Sequence, residues 1–296
     1  MTNIKIYPRD YADLSIYENV FQMVLRDRQR YIGRALSQLS ELGAYATLDS
    51  IASSVNVIAL TNYQHFRFFN NNEQLLLLIS NLRLLCDIYR NAQAGRNLPS
   101  GDTLNVRVFE TDIQLTGRPV SNWIDRNELC DQLSLAIIMR DQACINTLFS
   151  YTTDSVAEIY KDSYSRGAQE AYLEYVYTAM DEEIDHQAIH NKNMPIMDEL
   201  LEGDYRFQLS LWRALGQLNQ DKDLDAFEQA VIESFQAQSH IQKNDRELKD
   251  HMLPVMLLAP VCIAHDKYGY VPQHQNDYLP KWLLSGKFEK GIAEAK

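Results

Sequence analysis

Glycine and proline are scarce in this 296-residue chain, at 11 and 8 residues, and cysteine is scarcer still at 4. So few chain breakers argue against a turn-rich β architecture and for long regular elements. Cys86, Cys130, Cys144 and Cys262 are widely separated, with no close pair of the kind that holds zinc or runs redox chemistry. Four cysteines also make a poor staple for so long a chain, so reduced thiols in a cytoplasm are expected. Long apolar runs are missing as well. The longest, Met252 to Ala264, has about 13 residues where a membrane span needs roughly 20, and it contains Pro254 and Pro260. The opening stretch MTNIKIYPRDYADLS lacks the apolar core of a signal peptide, so export is not expected.

Several catalytic signatures are absent. Gly95, Gly101 and Gly117 form neither glycine-rich phosphate fingerprint, there is no Gly-x-Ser-x-Gly elbow, and no His-Glu-x-x-His occurs. Cofactors are therefore not expected.

What is present is a globular composition, 46% hydrophobic and 23% charged, with net charge -12. The charge is uneven. Through Val120 there are 12 basic and 11 acidic residues, and after it 16 basic and 29 acidic, so +1 stands against -13. Such a C-terminal field repels nucleic acid and anionic membrane and draws in a basic partner; it also serves plain solubility.

Apolar residues recur at three-and-four spacing from Leu14, through Tyr17, Val20, Phe21, Val24, Tyr31, Ile32, Ala35 and Leu39, which predicts one helix ending near Gly43. A second helix is expected over 48–69. After it Asn70-Asn71-Asn72 makes a break, with Asn72 as a cap for a third helix that stops near Gly95. Pro99, Gly101, Gly117 and Pro119 then punctuate two stretches of period-two patterning, Leu104-Val106-Val108 and Ile113-Leu115, which predict a small β-hairpin near residues 103–116. Helical spacing returns at Trp123, and Leu129, Leu133, Ala136, Ile137, Cys144 and Leu148 form one stripe that contains Arg140. A guanidinium on an apolar face needs a carboxylate or several carbonyls from a neighbouring element. Further helices are expected over 166–190, 204–218, 224–242 and 248–266. The expectation is an all-α, irregular antiparallel helical array in a single domain, 1–296, with N-terminal helices to 96, the hairpin insert at 97–122 and a helical part from 123.

Two groups of residues invite a chemical reading. In DEEIDHQAIH, Glu182, Glu183, His186 and His190 share roughly one helical face, but a di-iron bundle needs two Glu-x-x-His pairs and only this one occurs, so solvated residues near a helix end are the simpler account. Cys262 and His265 lie on an apolar helix face and read as core packing. The acidic run is the second group: Asp181, Glu182, Glu183 and Asp185, then Asp198, Glu199, Glu202 and Asp204, then Asp221, Asp223, Asp225 and Glu228. Each cluster falls near an expected helix end. They could line one partner-binding edge, or cap and complement helix N-termini, as Asp223 and Asp225 could before Ala226.

Two stretches resemble a known family. NWIDRNELCDQLSLAIIMRDQACINTLF, with Trp123, Leu135, Ala136, Arg140 and Asp141, resembles the Imm49 immunity proteins in its Trp opening a long helix, a Leu-Ala pair and Arg-Asp. The tail, with His265, Asp266, Gly269, Tyr278, Leu279 and Pro280, is similar to that family's apolar helix followed by His-Asp, a glycine turn and Tyr-Leu-Pro. This resemblance implies an all-α, non-catalytic immunity protein that binds and neutralises a polymorphic or contact-delivered toxin, as in type VI secretion, often a nuclease. Arg140, Asp141, His265 and Asp266 are then expected to form a buried polar network that fixes the helices. The expected partner is a toxin with a basic surface, with no direct binding of nucleic acid or membrane. Two other readings compete: a helical-repeat adaptor for an endogenous basic partner, and a metal-dependent enzyme built on Glu182, Glu183, His186 and His190.

Overall fold

Residues in left-handed backbone mark where the helices break. In the computed structural model, which describes residues 3–6, 14–117, 126–149, 171, 174–176, 187–189, 191–193, 195, 206–244 and 253–288, Gly43, Asn70, Arg140, Lys222 and Gly269 all have positive φ and each ends a helix. Among the described residues helices predominate, and one antiparallel hairpin interrupts them. The chain forms two compact units, each assembled from separated segments: Pro8–Trp123 with Asp141–Tyr151, and Met1–Tyr7 with Ile124–Arg140 and Thr152–Lys296.

In the first unit α1 (Leu14–Ser37) packs on α3 (Ala44–Phe69), α3 on α4 (Asn72–Arg96), and α4 on α6 (Gln142–Phe149). The first expected helix is two pieces, because the chain turns at Gln38 before the short α2 (Leu39–Leu42); Gly43, at φ 81, closes α2 and opens α3. The N-cap of α4 is Asn71, whose side chain accepts from the Glu73 amide at 2.9 Å, and Asn72 is already helical. That moves the cap one residue from its expected place, since an N-cap needs extended backbone and Asn71 has it. Phe21, Leu48, Ile51, Val55, Leu75, Leu78, Leu85 and Cys86 are buried here. Each fully buried Leu or Ile stabilises the unit by about 1.5–3 kcal/mol.

The hairpin pairs β2 (Thr103–Val108) with β3 (Thr111–Thr116), and Val106 faces Ile113. Its alternation places Val106, Val108, Ile113 and Leu115 inward. Gly95 lies within α4 rather than after it. A Cβ there would meet the Tyr45 hydroxyl at 2.8 Å and Leu115 Cβ at 2.9 Å, so this glycine lets the hairpin approach the helix.

The second unit centres on α9 (Val255–Tyr268), which packs against α5 (Arg126–Met139) and α7 (Arg206–Asp221); α7 packs on α8 (Leu224–Asn244). Every residue from Leu257 to Ala264 is buried, as expected of a helix apolar on all sides. Pro254 is the N-cap of α9 and Leu253 precedes it, so the helix begins later than the expected 248, and residues 245–252 lie outside the described ones. A two-residue parallel pair, β1 (Asn3–Ile4) with β4 (Gln275–Asn276), ties the N-terminal segment to the tail, and α10 (Lys281–Leu284) follows. Neither was evident in the sequence pattern.

The expected helix from Trp123 to Leu148 is two helices, since Arg140, at φ 54, separates α5 from α6. The apolar spacing runs on through the break and so conceals it. Trp123 and most of the helix expected over 166–190 lie outside the described residues.

Candidate functional site

Because α5 stops at Met139, Arg140 projects from a helix end instead of an apolar stripe. Its Nε donates to Asp266 Oδ2 at 3.0 Å and its Nη2 to Asp266 Oδ1 at 3.3 Å. Nη1 reaches the carbonyls of Ile138 at 2.6 Å and Leu283 at 3.0 Å, and Nη2 also reaches that of Leu284 at 2.6 Å. All five N–H groups of the guanidinium thus have an acceptor. Ile138 lies in the last turn of α5, and Leu283 and Leu284 end α10, so one cation satisfies carbonyls that helix ends leave open and sits at their negative dipole poles. Asp266, in the last turn of α9, orients it, and His265 Nδ1 lies 3.0 Å from Asp266 Oδ1.

The arrangement is half-exposed: the Asp266 side chain is 45% accessible and that of Arg140 24%. The ion pair alone is therefore worth at most about 1 kcal/mol. The carbonyl bonds to a charged donor carry more, of order 1.5–3 kcal/mol each, and offset the roughly 1–2 kcal/mol that left-handed backbone costs at Arg140. Asp141 does not join this group. It accepts from the Cys144 amide at 2.9 Å, capping α6, and lies 3.8 Å from Arg90. Of the four expected network residues, the structure brings Arg140, His265 and Asp266 together and employs Asp141 as a cap.

Glu228 forms a second polar cluster that the sequence pattern hid. On α8, with its side chain 15% exposed, it lies 2.6 Å from His274 Nδ1 and accepts from the Gln273 amide at 3.0 Å and from the Tyr270 hydroxyl. Burial opposes its charge, yet the hydrogen bonds from Tyr270 and His274 outweigh it and hold the carboxyl below its ordinary value. Burial and Glu228 together push the Tyr270 phenol well up. Glu228 therefore faces inward and fastens the tail to α8. Its partners are more than 40 residues away, so no local spacing announces them.

Apart from Glu228, the described members of the acidic run, Asp221, Asp223 and Asp225, lie on one exposed turn between α7 and α8. Asp221 accepts from the Asp223 amide, and Asp223 caps α8 by accepting from the amides of Asp225 and Ala226 at 3.1 and 3.0 Å. Asp225 is exposed in the first turn. Asp181, Glu182, Glu183, Asp185, His186, His190, Asp198, Glu199, Glu202 and Asp204 lie outside the described residues.

The surroundings of Cys86 and Cys262 disfavour the thiolate. The Cys144 thiol, in hydrogen-bond contact with it, and burial push the Cys86 thiol up, and burial pushes Cys262 up to about 11, although Arg140 pulls the other way. Among the described residues no three His, Cys, Asp or Glu side chains are grouped to hold a metal ion, and no helix is long and apolar enough to cross a membrane.

Residues 78–283 match the model of a protein family described as Imm49, Immunity protein 49. The matched span runs from the second turn of α4 to α10 and includes the hairpin, the Arg140 junction and Glu228, whereas α1 to α3 lie outside it. No curated protein and no solved structure matches the chain.

Proposed function

The chain belongs to the Imm49 immunity-protein family, and on that footing we propose that it neutralises one cognate secreted bacterial toxin by binding it and covering its working surface. The match over residues 78–283 carries this reading. An immunity protein acts on toxin inside the producing cell, so the proposed place of action is the cytoplasm. The chain contributes surface and charge, and no bond is made or broken.

Electrostatics favours a nuclease as the toxin. An enzyme that cuts nucleic acid presents a basic surface to the phosphates, and occluding that surface calls for an acidic one. The net negative charge of this chain falls after Val120, -13 against +1 before it, and the exposed turn at Asp221, Asp223 and Asp225 belongs to that half. The proposed acidic edge adds Asp181, Glu182, Glu183, Asp185, Asp198, Glu199, Glu202 and Asp204. Long-range attraction between opposite fields speeds encounter, so stray toxin is captured before it acts. The Arg140 junction and the Glu228 cluster serve this function indirectly, by holding helices and tail in register.

Co-expression of the toxin domain encoded in the neighbouring reading frame, with and without this chain, tests the reading. Growth rescued only in the presence of the chain is the expected result. Equal toxicity in both cultures overturns it.

A further inference from the structure

Helix α1, which the family match leaves out, buries Phe21, Ile32 and Ala35 on one face. Its opposite face exposes Arg26, Arg30 and Arg34. Three residues at four-residue spacing fall within about 80° of one another and cover about 12 Å of helix. Among the described residues no carboxylate comes within ion-pair distance of any of the three, and Asp27, half-buried, is the one acidic residue between Met23 and Ser37. Like charges at this spacing repel and cost the helix stability.

Two large side chains flank the ladder in water: Met23 is 53% exposed and Tyr31 56%. The Arg28 guanidinium lies 5.6 Å from the centre of the Tyr31 ring, which limits the conformations of that ring. Arginine, tyrosine and methionine are the residues enriched where proteins meet, and lysine is depleted there. Through Val120 the chain has a single lysine, Lys5, and all its other cations are arginine, whose planar fork grips a carboxylate at two points. A nucleic acid or an anionic membrane would meet a chain of net charge -12, whereas an acidic patch on a protein needs only the local face.

We propose that the exposed face of α1 is a second docking surface for the toxin, with acidic side chains of the toxin on Arg26, Arg30 and Arg34 and apolar ones against Met23 and Tyr31. The proposal rests on the immunity reading and extends it. Lying outside the shared family span, this face sets which toxin is bound.

The test is calorimetric titration of the full chain with a catalytically inactivated form of the toxin domain encoded next to it, at low and high salt. Arg30→Glu with Arg34→Glu is expected to weaken binding about 100-fold, and Tyr31→Ala about 10-fold. Circular dichroism checks that the variants fold; if the double reversal does not, Tyr31→Ala carries the test. Unchanged affinity in the folded variants, with tight binding by the unaltered chain, overturns this surface and leaves the immunity function standing. No binding by the unaltered chain overturns both. Binding of a single-stranded DNA oligonucleotide by the unaltered chain, as tight as that of the toxin and lost in the double reversal, assigns the face to nucleic acid and overturns the protein partner.

Discussion

The indole N–H of Trp212 on α7 donates to the carbonyl of Met256 on α9 at 2.9 Å. Four residues on in α9 stands Pro260, which has no N–H to give that carbonyl. A buried tryptophan thus supplies the bond that the proline removes, and the helix keeps its proline without an orphaned acceptor. Trp212→Phe is expected to destabilise the protein by about 1–3 kcal/mol, the cost of an unmade buried bond, plus the lost packing. Pro260→Ala returns the backbone donor, so the same substitution should cost less in that background. Denaturant midpoints of the four proteins measure the difference, and equal costs in both backgrounds would sink the account.

Gly286 has φ 61, and a Cβ there would stand 3.0 Å from the Arg140 Nε and 3.3 Å from its Cδ. Gly269 has a similar φ of 67 but open space around it. Both alanine variants strain the backbone by about 1 kcal/mol, while only Gly286→Ala also displaces the guanidinium from its acceptors. Thermal unfolding should rank Gly286→Ala the more damaging by about 1 kcal/mol or more. Indistinguishable melting of the two variants counts against the Arg140 junction as a stabilising device.

Glu228 titrates below its ordinary value of 4.5 in the folded chain. A carboxyl lowered on folding contributes stability that is fully present above its unfolded value and is lost as the pH falls through its folded one. The advantage of the unaltered protein over Glu228→Gln should therefore hold near neutral pH and shrink below about pH 4.5. Urea midpoints of the two proteins across the acid range check this. An advantage that stays constant down to about pH 3 would show that Glu228 is not held in its charged form by Tyr270 and His274.

Asn71→Ala removes the side-chain acceptor from the start of α4 and should cost about 1 kcal/mol. Asn72→Ala replaces a residue already in the helix and should be neutral or slightly stabilising. The comparison needs only two unfolding curves, and the opposite ranking would return the cap to Asn72.

Reversing Asp198, Glu199, Glu202 and Asp204 to lysine should weaken toxin binding and flatten its dependence on salt, if the acidic half meets a basic surface. Rate and equilibrium measurements at several ionic strengths decide it. An unaltered affinity and salt slope would reject the acidic edge.

Local pattern alone determined the helical class, the hairpin at 103–116, the partition of charge at Val120 and the family, because each is written in neighbouring residues: periods of 3.6 or 2, punctuation by glycine and proline, and short motifs. Tertiary structure decided what those residues do. Arg140 sits in an unbroken apolar spacing, so only its left-handed backbone and its partners on α9 and α10 distinguish a helix end from a buried charge. Glu228 looked like one more surface acid until the folded tail brought Tyr270, Gln273 and His274 onto it. The same holds for β1 with β4, whose two-residue pairing across the length of the chain has no period to read. Contacts between distant segments depend on where the chain places both partners, and that information is in neither segment by itself.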